Sequence, residues 1–434
     1  MVNERRWLIS IFSLYFIMAF GYSILMPIWE SPDEPTHYHL AWTFARSGKF
    51  PTIEKNYEAH QPRLYYYIAA SGIRMLDKVN PKLSDYYLPT THKENLRVPE
   101  PRYEWNSKTY KFLPGAYMLR WMGIVFGAIA LWLNWKTFTY IDNEKPSLRI
   151  GALALAALTP QFLHIMASVN NDTLGTLAGA LLYYLTVRSL KTKSITIAIL
   201  SIVLAIIFPL TTKIIVLPVS VAVLISLIWN HMIRRPRKNQ FLIVAGAFLG
   251  IIVISLIIYF LSPHAFRSAL NEITWRLFSF RENAFTWSSL GFILSQIIWT
   301  YWGKVGWLAI GLPGWIVILL TMLGFTGFVF SARELIKRKE EASNLMFWAV
   351  TWLVALLTIA AVIKNGLTTI ASQGRFLFPA IGAISLLMVN GWHQHIFERL
   401  QNRLPMIVTL IMILCNIVVW VFAVLPVYYQ PFLD

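Results

Sequence analysis

The sequence predicts an all-α polytopic membrane protein with about eleven transmembrane helices. Of its 434 residues, 56% are hydrophobic and 14% are charged, whereas soluble domains contain roughly 45–50% apolar and about 25% charged residues. The apolar residues form runs of about 20, the length that a helix needs to cross a bilayer. These runs lie near residues 7–27, 115–135, 150–168, 172–187, 194–209, 214–230, 240–261, 307–330, 344–363, 376–392 and 405–425. This composition excludes a soluble protein.

The basic residues predict the orientation of the chain in the membrane. The formal net charge is +17, from 38 Lys and Arg against 21 Asp and Glu, which in a soluble chain would suggest a nucleic-acid partner. With a cytoplasmic N-terminus, the inner loops would carry eighteen basic residues and the outer segments after the first loop only seven. This asymmetry follows the positive-inside rule. It predicts a protein of the cytoplasmic (plasma) membrane with its N-terminus inside, its C-terminus outside and no nucleic-acid partner.

Two apolar segments allow more than one interpretation. Segment 288–302 is apolar enough to form a twelfth span, but counting it would move the basic stretch 332–339 outside, so we interpret it as re-entrant or interfacial. The first run follows Arg5 and Arg6, as a secretory signal would. Its length, its aromatic residues and the absence of a clear small-x-small exit favour an uncleaved anchor.

We therefore expect a single transmembrane domain over residues 1–434, with two large extracytoplasmic segments. The first, 28–114, would carry short amphipathic helices and the second, 262–306, would contain the segment that does not fit the span count. The single cysteine, Cys415, excludes a disulfide framework and a cysteine-based metal site.

Polar residues that could take part in catalysis or binding are concentrated in the first outer segment, 28–114. This segment holds ten of the 21 acidic residues. Ser31 or Asp33 can cap a helix that has Glu34 in its first turn and stops at Gly48. A carboxylate at this boundary of membrane and water can accept a proton from a hydroxyl group. The alternative is that Asp33 only caps the helix.

A metal site is a less favoured interpretation of the same segment. Glu34 and His37 are spaced i, i+3, so that on a helix they share a face and could bind a cation. A further ligand would have to come from His39, His60 or Asp172. We favour instead a His37 that contacts a substrate phosphate or packs beside the carboxylates, without a resident metal.

A second motif of this segment runs from His60 to Tyr67. Pro62 can begin a helix whose face carries Arg63 and three tyrosines, among them Tyr65. Arginine and tyrosine suit contacts with sugar and phosphate, although interfacial tyrosines are equally typical of an aromatic belt. The Pro-rich stretch 78–112 is expected to be a surface loop, and it is a candidate cover for the site.

Two isolated charges stand at later span ends. Asp172 can contact a substrate, because charges near a bilayer are costly and usually point into the bundle, or it can belong to a helix cap built by Asn170 or Asn171. Arg375 stands at the mouth of an apolar helix, where it can clamp a phosphate. Its alternative is to snorkel to the interface.

These features resemble the GT-C superfamily of integral-membrane glycosyltransferases: an acidic pair directly after the first span, a large first outer loop and about eleven spans. More narrowly, five motifs in order resemble a bacterial membrane family whose members mostly lack an assigned function. They are PDEPTHYHLAW, HQPRLYY, SVNNDTL, YWGKVGW and SQGRFLFP, from Pro32 to Pro379. No nucleotide-binding or serine-nucleophile signature is present in the sequence.

The resemblance implies inverting transfer of a hexose or pentose from a polyprenyl-phosphate donor to a hydroxyl of a glycan, lipid or protein acceptor on the extracytoplasmic face. It makes Asp33 the general base, with Glu34 as second choice. Arg375 would bind the donor phosphate, with Arg63 and Lys304 as further candidates. The residues expected to bind sugar or acceptor are His37, His60, Gln61, Tyr65, Asn171, Asp172 and Gln373. No cofactor is expected, and a divalent cation is the less favoured alternative.

Two other functions compete with this interpretation. A polymerase or ligase of polyprenyl-linked polysaccharide usually has paired arginines in large outer loops, whereas 262–281 offers only spaced Arg267, Arg276 and Arg281. A lipid or sugar transporter (flippase) would be expected to have internal repeats and spans interrupted at mid-membrane. The sequence has no clear repeat, and its charges gather at span ends.

Overall fold

Helices form nearly all of the regular structure. The computed structural model describes residues 3–85, 113–234, 263–282, 284–337, 342–369 and 372–429. The α-helices in these ranges are α1 (Glu4–Leu25), α2 (Glu34–Ser47), α3 (Leu64–Val79), α4 (Pro114–Ile141), α5 (Pro146–Leu158), α6 (Pro160–Met166), α7 (Asp172–Thr192), α8 (Ile195–Thr211), α9 (Leu217–Arg234), α10 (Pro263–Phe278), α11 (Trp287–Trp302), α12 (Gly314–Lys337), α13 (Ala342–Thr368), α14 (Ile381–His395), α15 (Glu398–Gln401), α16 (Leu404–Val419) and α17 (Leu425–Tyr429).

Short elements connect these helices. Within the described ranges, four 3₁₀ helices lie at Tyr57–His60, Pro81–Ser84, Ile214–Val216 and Gly374–Ala380, and the π-helical turn Trp420–Val424 joins α16 to α17. Strand β1 (Lys304–Val305) pairs antiparallel with β2 (Ile310–Gly311), with Lys304 opposite Gly311.

The chain is a multi-pass membrane protein. Within the described ranges, six helical stretches are long and apolar enough to cross a bilayer, and the bent pair α5–α6 could form a seventh crossing. The six are Glu4–Leu25, Pro114–Ile141, Gly314–Ile336, Leu345–Thr368, Gly374–His395 and Leu404–Tyr429. The predicted number of eleven is therefore not confirmed. The predicted run 240–261 lies outside the described residues, and the interpretation of 288–302, which falls in the 16-residue α11, stays a prediction.

The predicted span 150–168 is two helices rather than one. Helices α5 and α6 meet at 58°, because Pro160 has no N–H to donate and its ring disfavours a helical conformation at the preceding Thr159, whose ψ is 122°. The bend directs α6 towards α4, where Met166 O would lie 2.5 Å from a side chain added at Gly123. It thereby sets the position of the turn that precedes α7.

The bundle has a buried centre and an apolar exterior. Residues 147–158 of α5 are all buried, and α5 packs against α1, α14 and α16. Helices α1 and α12 instead expose large apolar side chains, among them Ile17 at 66% and Phe325 at 67%. Such exposure is stable where lipid is the solvent.

Helices α2 and α3 pack together over α4. Helix α2 begins at Glu34, with Pro35 in its first turn, and ends at Ser47, where Gly48 adopts a positive φ of 69° as the C-cap. These bounds are those predicted from the sequence, since a left-handed C-cap position favours glycine.

A buried ion pair between Glu34 and Arg120 joins α2 to α1, α4 and the turn before α7. Both side chains are fully buried, and the two carboxylate oxygens accept from Arg120 Nε at 2.7 Å and Nη2 at 2.6 Å. The carboxylate also accepts from the backbone N–H groups of Trp29 and Val169, both at 3.0 Å. Every polar atom of this carboxylate is thus engaged by the protein.

The guanidinium of Arg120 caps the C-terminal end of α1. It donates to the backbone carbonyls of Ser23 and Met26 at 2.7 Å and of Pro27 at 2.9 Å. Unpaired carbonyls at a helix end need such donors. These three carbonyls are therefore paired where the chain leaves α1 inside the protein.

We expect Arg120→Gln to prevent stable folding. Removal of one partner from a buried pair leaves the other charge uncompensated and costs about 3–5 kcal/mol. Thermal unfolding and monodispersity in detergent should both deteriorate strongly, whereas Arg333→Gln, at an exposed position of α12, should match the wild type. A wild-type unfolding curve for Arg120→Gln would contradict this assignment.

Candidate functional site

Four charged side chains from separate elements form a cluster near the start of α2. Arg375 Nη2 donates to Asp33 Oδ2 at 2.8 Å, and Arg375 Nε lies 3.4 Å from Asp172 Oδ2. Lys213 Nζ lies 2.6 Å from Asp172 Oδ1. The side chains of Asp172, Arg375 and Lys213 are at most 8% exposed, whereas that of Asp33 is 38% exposed. Asp33 is therefore the member that an incoming molecule reaches first.

The backbone turns the Asp33 carboxylate away from its own helix. Asp33 occupies the N-cap position of α2 with φ at 63°, and its side chain makes no capping hydrogen bond. Aspartate tolerates this left-handed conformation better than most residues, although it is still costly. The capping role considered from the sequence is thus not the one that this carboxylate has, and its oxygen meets Arg375 instead.

Close packing at Gly374 sets the position of Arg375. A Cβ at Gly374 would lie 2.3 Å from Tyr301 N and 2.4 Å from Ile297 O, so only glycine fits against α11. The Gly374 N–H also donates to Thr300 Oγ1 at 2.6 Å. The backbone that carries the Arg375 guanidinium is therefore held tightly against α11.

His37 and Glu58 also lie close to Asp33. Asp33, His37 and Glu58 each offer one ligand atom, and these atoms lie within 4.8 Å of one another. His37 Nδ1 is 2.8 Å from the hydroxyl of Tyr66. Glu58 belongs to the 3₁₀ helix Tyr57–His60 and is 8% exposed. In the part of the chain that the structure describes, its carboxylate makes no hydrogen bond or ion pair.

The surroundings shift the pKa of each of these three groups. Desolvation is the largest single effect and opposes ionisation of Asp33, but the charge and hydrogen bond of Arg375, together with the charge of Lys213 and the nearby His37, outweigh it and hold the Asp33 pKa below its usual value. Burial lowers the pKa of His37 to about 3, so its imidazole is neutral. Burial and the neighbouring Asp33 raise the pKa of Glu58 to about 7.

Several polar atoms of this region are buried without a hydrogen-bond partner among the described residues. They include Arg375 Nη1, Gln373 Oε1 and Asn171 Oδ1. Buried polar atoms are normally paired, and those left unpaired are typical of sites that bind a ligand. Arg375 Nη1 is a hydrogen-bond donor, and the cluster contains two positively charged side chains, Arg375 and Lys213. Such an arrangement is suited to binding an anion.

Three predicted residues form a bridge beside the cluster. Gln61 Oε1 accepts from Asn171 Nδ2 at 3.4 Å, and Gln61 Nε2 lies 3.1 Å from His60 Nε2. His60 is also 3.9 Å from Glu272 of α10. The first and second outer segments therefore meet at His60.

Other predicted residues lie elsewhere. Arg63 stacks over the ring of Phe50 at 4.8 Å. Tyr65 is fully buried in the apolar cluster under α2 and α3. Lys304 lies in β1, where its backbone N–H donates to Gln161 at 2.8 Å. Glu34 is held by Arg120, which makes it part of the structural core rather than of the Asp33 cluster.

Sequence reasoning missed Lys213, Glu58 and the partner of Glu34. Lys213 stands alone between the apolar runs 194–209 and 214–230, and an isolated lysine there predicts a buried acid. Arg120 carries the same signal within α4. Nothing in the local pattern distinguishes Glu58 from the other acids of its loop.

The metal-ligating pair considered from the sequence is not available, because Glu34 is occupied by Arg120. Among the described residues, the group that could hold a cation is Asp33, His37 and Glu58.

Comparison with known proteins supports the fold. A family profile described as dolichyl-phosphate-mannose-protein mannosyltransferase matches residues 114–260, about a third of the chain. A search of curated proteins finds no significant match.

Solved structures share the fold at low identity. ArnT from Cupriavidus metallidurans, bound to undecaprenyl phosphate, aligns with a TM-score of 0.54 and 10% identity over 91% of this chain and 61% of its own. The Archaeoglobus fulgidus oligosaccharyltransferase in complex with Zn and sulfate aligns with a TM-score of 0.51 and 13% identity, over 94% of this chain and 52% of its own. The same organism's AglB, in complex with an inhibitory peptide and a dolichol-phosphate, gives 0.50 and 10%, over 97% and 56%.

The protein has the fold of the GT-C membrane glycosyltransferases, to which both of these neighbours belong. It spans between about half and three fifths of the length of these neighbours.

We expect Gly374→Ala to destabilise the protein and displace Arg375. The added Cβ would meet backbone atoms, which cannot yield as a flexible side chain would. The midpoint of thermal unfolding in detergent should fall by several degrees. Gly291→Ala, in α11 with nothing within 4 Å of the added Cβ, should leave it unchanged or raise it, because alanine is the better helix former. Equal behaviour of the two variants would contradict the packing argument.

Proposed function

We propose that the protein transfers a sugar from a polyprenyl-phosphate donor to an acceptor hydroxyl at the extracytoplasmic boundary of the membrane. The observation that carries the proposal is Arg375, a buried arginine with an unpaired Nη1 that contacts the partly exposed carboxylate of Asp33. This reaction requires a group that binds the donor phosphate and, next to it, a carboxylate that can accept a proton from the acceptor hydroxyl. The fold is consistent with it.

Arg375 and Lys213 are the groups we assign to the donor phosphate. Their two positive charges are balanced by Asp33 and Asp172. Because Asp33 is the more exposed acid, a phosphate can compete with it for Arg375 while the pair of Lys213 and Asp172 stays in place. Charge-assisted hydrogen bonds of arginine to phosphate are short, strong and directional.

Donor binding would then prepare Asp33 to act as the base. Arg375 holds the pKa of Asp33 low, so the carboxylate becomes more basic when the guanidinium turns to the phosphate. The acceptor O–H proton passes to Asp33 as the hydroxyl oxygen bonds to the anomeric carbon. The bond from that carbon to the phosphate oxygen breaks, its electron pair stays with the phosphate, and the configuration inverts.

The bridge of His60, Gln61 and Asn171 is our proposed contact for the sugar or the acceptor, together with Gln373. The acceptor would be a glycan, lipid or protein that enters between the two outer segments. The neutral imidazole of His37 would pack beside the sugar. We leave Arg63, Tyr65 and Lys304 outside the phosphate site because their described contacts lie elsewhere.

We expect Asp33→Asn to abolish transfer without loss of the donor site. Removal of a general base lowers turnover by about 10²-fold or more, and the freed Arg375 should bind phosphate at least as well as before. Turnover with a radiolabelled polyprenyl-phosphate sugar and candidate acceptors, alongside binding of the same donor, measures both effects. Full activity of Asp33→Asn would refute the assignment of the base.

We expect Arg375→Gln to weaken donor binding by about 10- to 100-fold, the value of a hydrogen bond to a charged group. Binding of polyprenyl phosphate to the purified protein is the measurement, and Arg375→Lys should recover part of the affinity. Arg63→Gln serves as the matched control, since Arg63 stacks on Phe50, and it should bind like the wild type. Equal losses in Arg63→Gln and Arg375→Gln would contradict the choice of Arg375.

A further inference from the structure

Helix α7 is buried except for one narrow stripe beside α4, the helix against which it packs. Between residues 172 and 190, the partly exposed positions are Leu177, Leu181, Tyr184 and Arg188, and every other residue is buried. Their spacing of three and four residues places them on one face of the helix. The stripe therefore runs from two leucines to an arginine near the end of α7.

The stripe ends far from the charged cluster around Asp33. Arg188 lies about 24 Å along α7 from Asp172, at about 1.5 Å per residue. This end of the bundle is the one that the basic residues predict to be cytoplasmic. Whatever binds there is separate from the site at Asp33.

Apolar side chains form the floor and one wall of a groove between the two helices. Ala130 and Leu133 of α4 and Ala180 of α7 are buried and pack together, and Leu177 and Leu181 pack against them. Small residues where two membrane helices meet leave a close, smooth surface. Such a surface suits an acyl chain.

Two tyrosines and Arg188 close the polar end of this groove. The ring centroids of Tyr140 in α4 and Tyr184 in α7 are 6.1 Å apart. Arg188 Nη1 donates to the Tyr184 hydroxyl at 3.2 Å, and the guanidinium carbon lies 5.8 Å from the centroid of the Tyr184 ring. A basic residue that only marks the topology extends into water, whereas Arg188 folds back over the groove.

The guanidinium of Arg188 still has an unused donor. Its Nε is buried and has no hydrogen-bond partner among the described residues. Arg188 and Lys136 form no ion pair within those ranges, and Asp142, the acid that ends α4, lies 3.5 Å from Lys145. Unpaired buried donors are typical of a ligand site, and an excess of positive charge favours an anion.

Helix α4 adds a second base and an aromatic anchor to this end. Lys136 is exposed and lies one turn before Tyr140, so both are on the same face of the helix. Its Nζ is 5.6 Å from the ring centroid of Trp132, which is 48% exposed. Tryptophan at such a position is typical of the headgroup level of a bilayer.

We propose that the groove between α4 and α7 binds an anionic glycerophospholipid of the adjacent leaflet. Its phosphate would accept from Arg188, Lys136 and the tyrosine hydroxyls, and one acyl chain would lie along Leu181 and Leu177. Arginine binds phosphate through strong, directional hydrogen bonds. Basic pockets between membrane helices at the cytoplasmic side recognise acidic headgroups in the same way.

The test is native mass spectrometry of the purified full-length protein in detergent, titrated with phosphatidylglycerol or with phosphatidylcholine of the same acyl chains. We expect one phosphatidylglycerol to bind the wild type more tightly than any phosphatidylcholine. Arg188→Gln should weaken this binding by at least about 10-fold, the value of a hydrogen bond to a charged group. Lys136→Gln, at an exposed position, should weaken it in the same direction.

Lys191→Gln is the matched control. Lys191 is exposed and lies one turn after Arg188, but its Nζ is 5.5 Å from the ring centroid of Phe347 in α13. The variant therefore removes the same charge from another face of α7 and should bind phosphatidylglycerol like the wild type. Thermal unfolding without added lipid should show all three variants to be folded.

Equal affinity of the wild type for the two lipids would overturn the proposal, and so would equal losses in Arg188→Gln and Lys191→Gln. Wild-type binding by a folded Lys136→Gln and a folded Arg188→Gln would overturn it as well. Displacement of phosphatidylglycerol by equimolar polyprenyl phosphate would assign the groove to the other lipid. Arg375→Gln should leave phosphatidylglycerol binding unchanged, because the groove is remote from the Asp33 cluster. No sugar is transferred in these experiments, so their outcome does not depend on the proposed function.

Discussion

The buried pair of Glu34 and Arg120 is the constraint on which the arrangement of the site depends. Two opposite charges without solvent are stable only when their remaining donors and acceptors are paired. Here the guanidinium of Arg120 donates to three carbonyls at the end of α1. The carboxylate of Glu34 accepts from the N–H groups of Trp29 and Val169. The pair therefore fixes three segments together: the end of α1, the start of α2 and the turn before α7. Two of these segments carry Asp33 and Asp172.

Asp33 and Glu34 are adjacent in sequence but serve different purposes. The left-handed conformation at Asp33 sends its carboxylate to Arg375, while Glu34 enters the core to meet Arg120. Of these two neighbouring acids, Glu34 thus stabilises the fold, whereas Asp33 belongs to the charged cluster. The strain at Asp33 persists because the segments on both sides of it are fixed, by α2 and by the hydrogen bond at Trp29.

The second constraint is the charge balance of the cluster. With Asp33 and Asp172 against Arg375 and Lys213, the site is nearly neutral before a ligand enters, so a phosphate must displace a carboxylate instead of filling a positive pocket. This exchange couples donor binding to the basicity of Asp33. Glu58 makes no ion pair with either of these bases in the described structure, and burial together with the nearby Asp33 raises its pKa to about 7.

Much of this could be predicted from the sequence, because polar residues at span ends are few. The bounds of α2 and the position of Asp172 at a span end follow from the helix start and stop signals and from the cost of charge near lipid. The family resemblance assigned Asp33 and Arg375 to one site, but their direct contact was not predicted. The bend at Thr159 also had a signal, the proline that follows it. No sequence signal predicts that Asp33 and Glu34 make different contacts. These contacts depend on the backbone conformation at Asp33 and on Arg120, which is 86 positions away from Glu34. Glu58 was not predictable either, because only tertiary packing distinguishes it from the other loop acids.

We propose that this cluster transfers a sugar from a lipid-linked phosphate. The most direct measurement incubates the purified protein with polyprenyl-phosphate sugars of defined anomeric configuration and acceptor candidates, and determines the configuration of the product by nuclear magnetic resonance. We expect a glycoside with the inverted configuration, together with release of polyprenyl phosphate. A product with retained configuration, or movement of the intact lipid-linked sugar across the membrane without transfer, would contradict it.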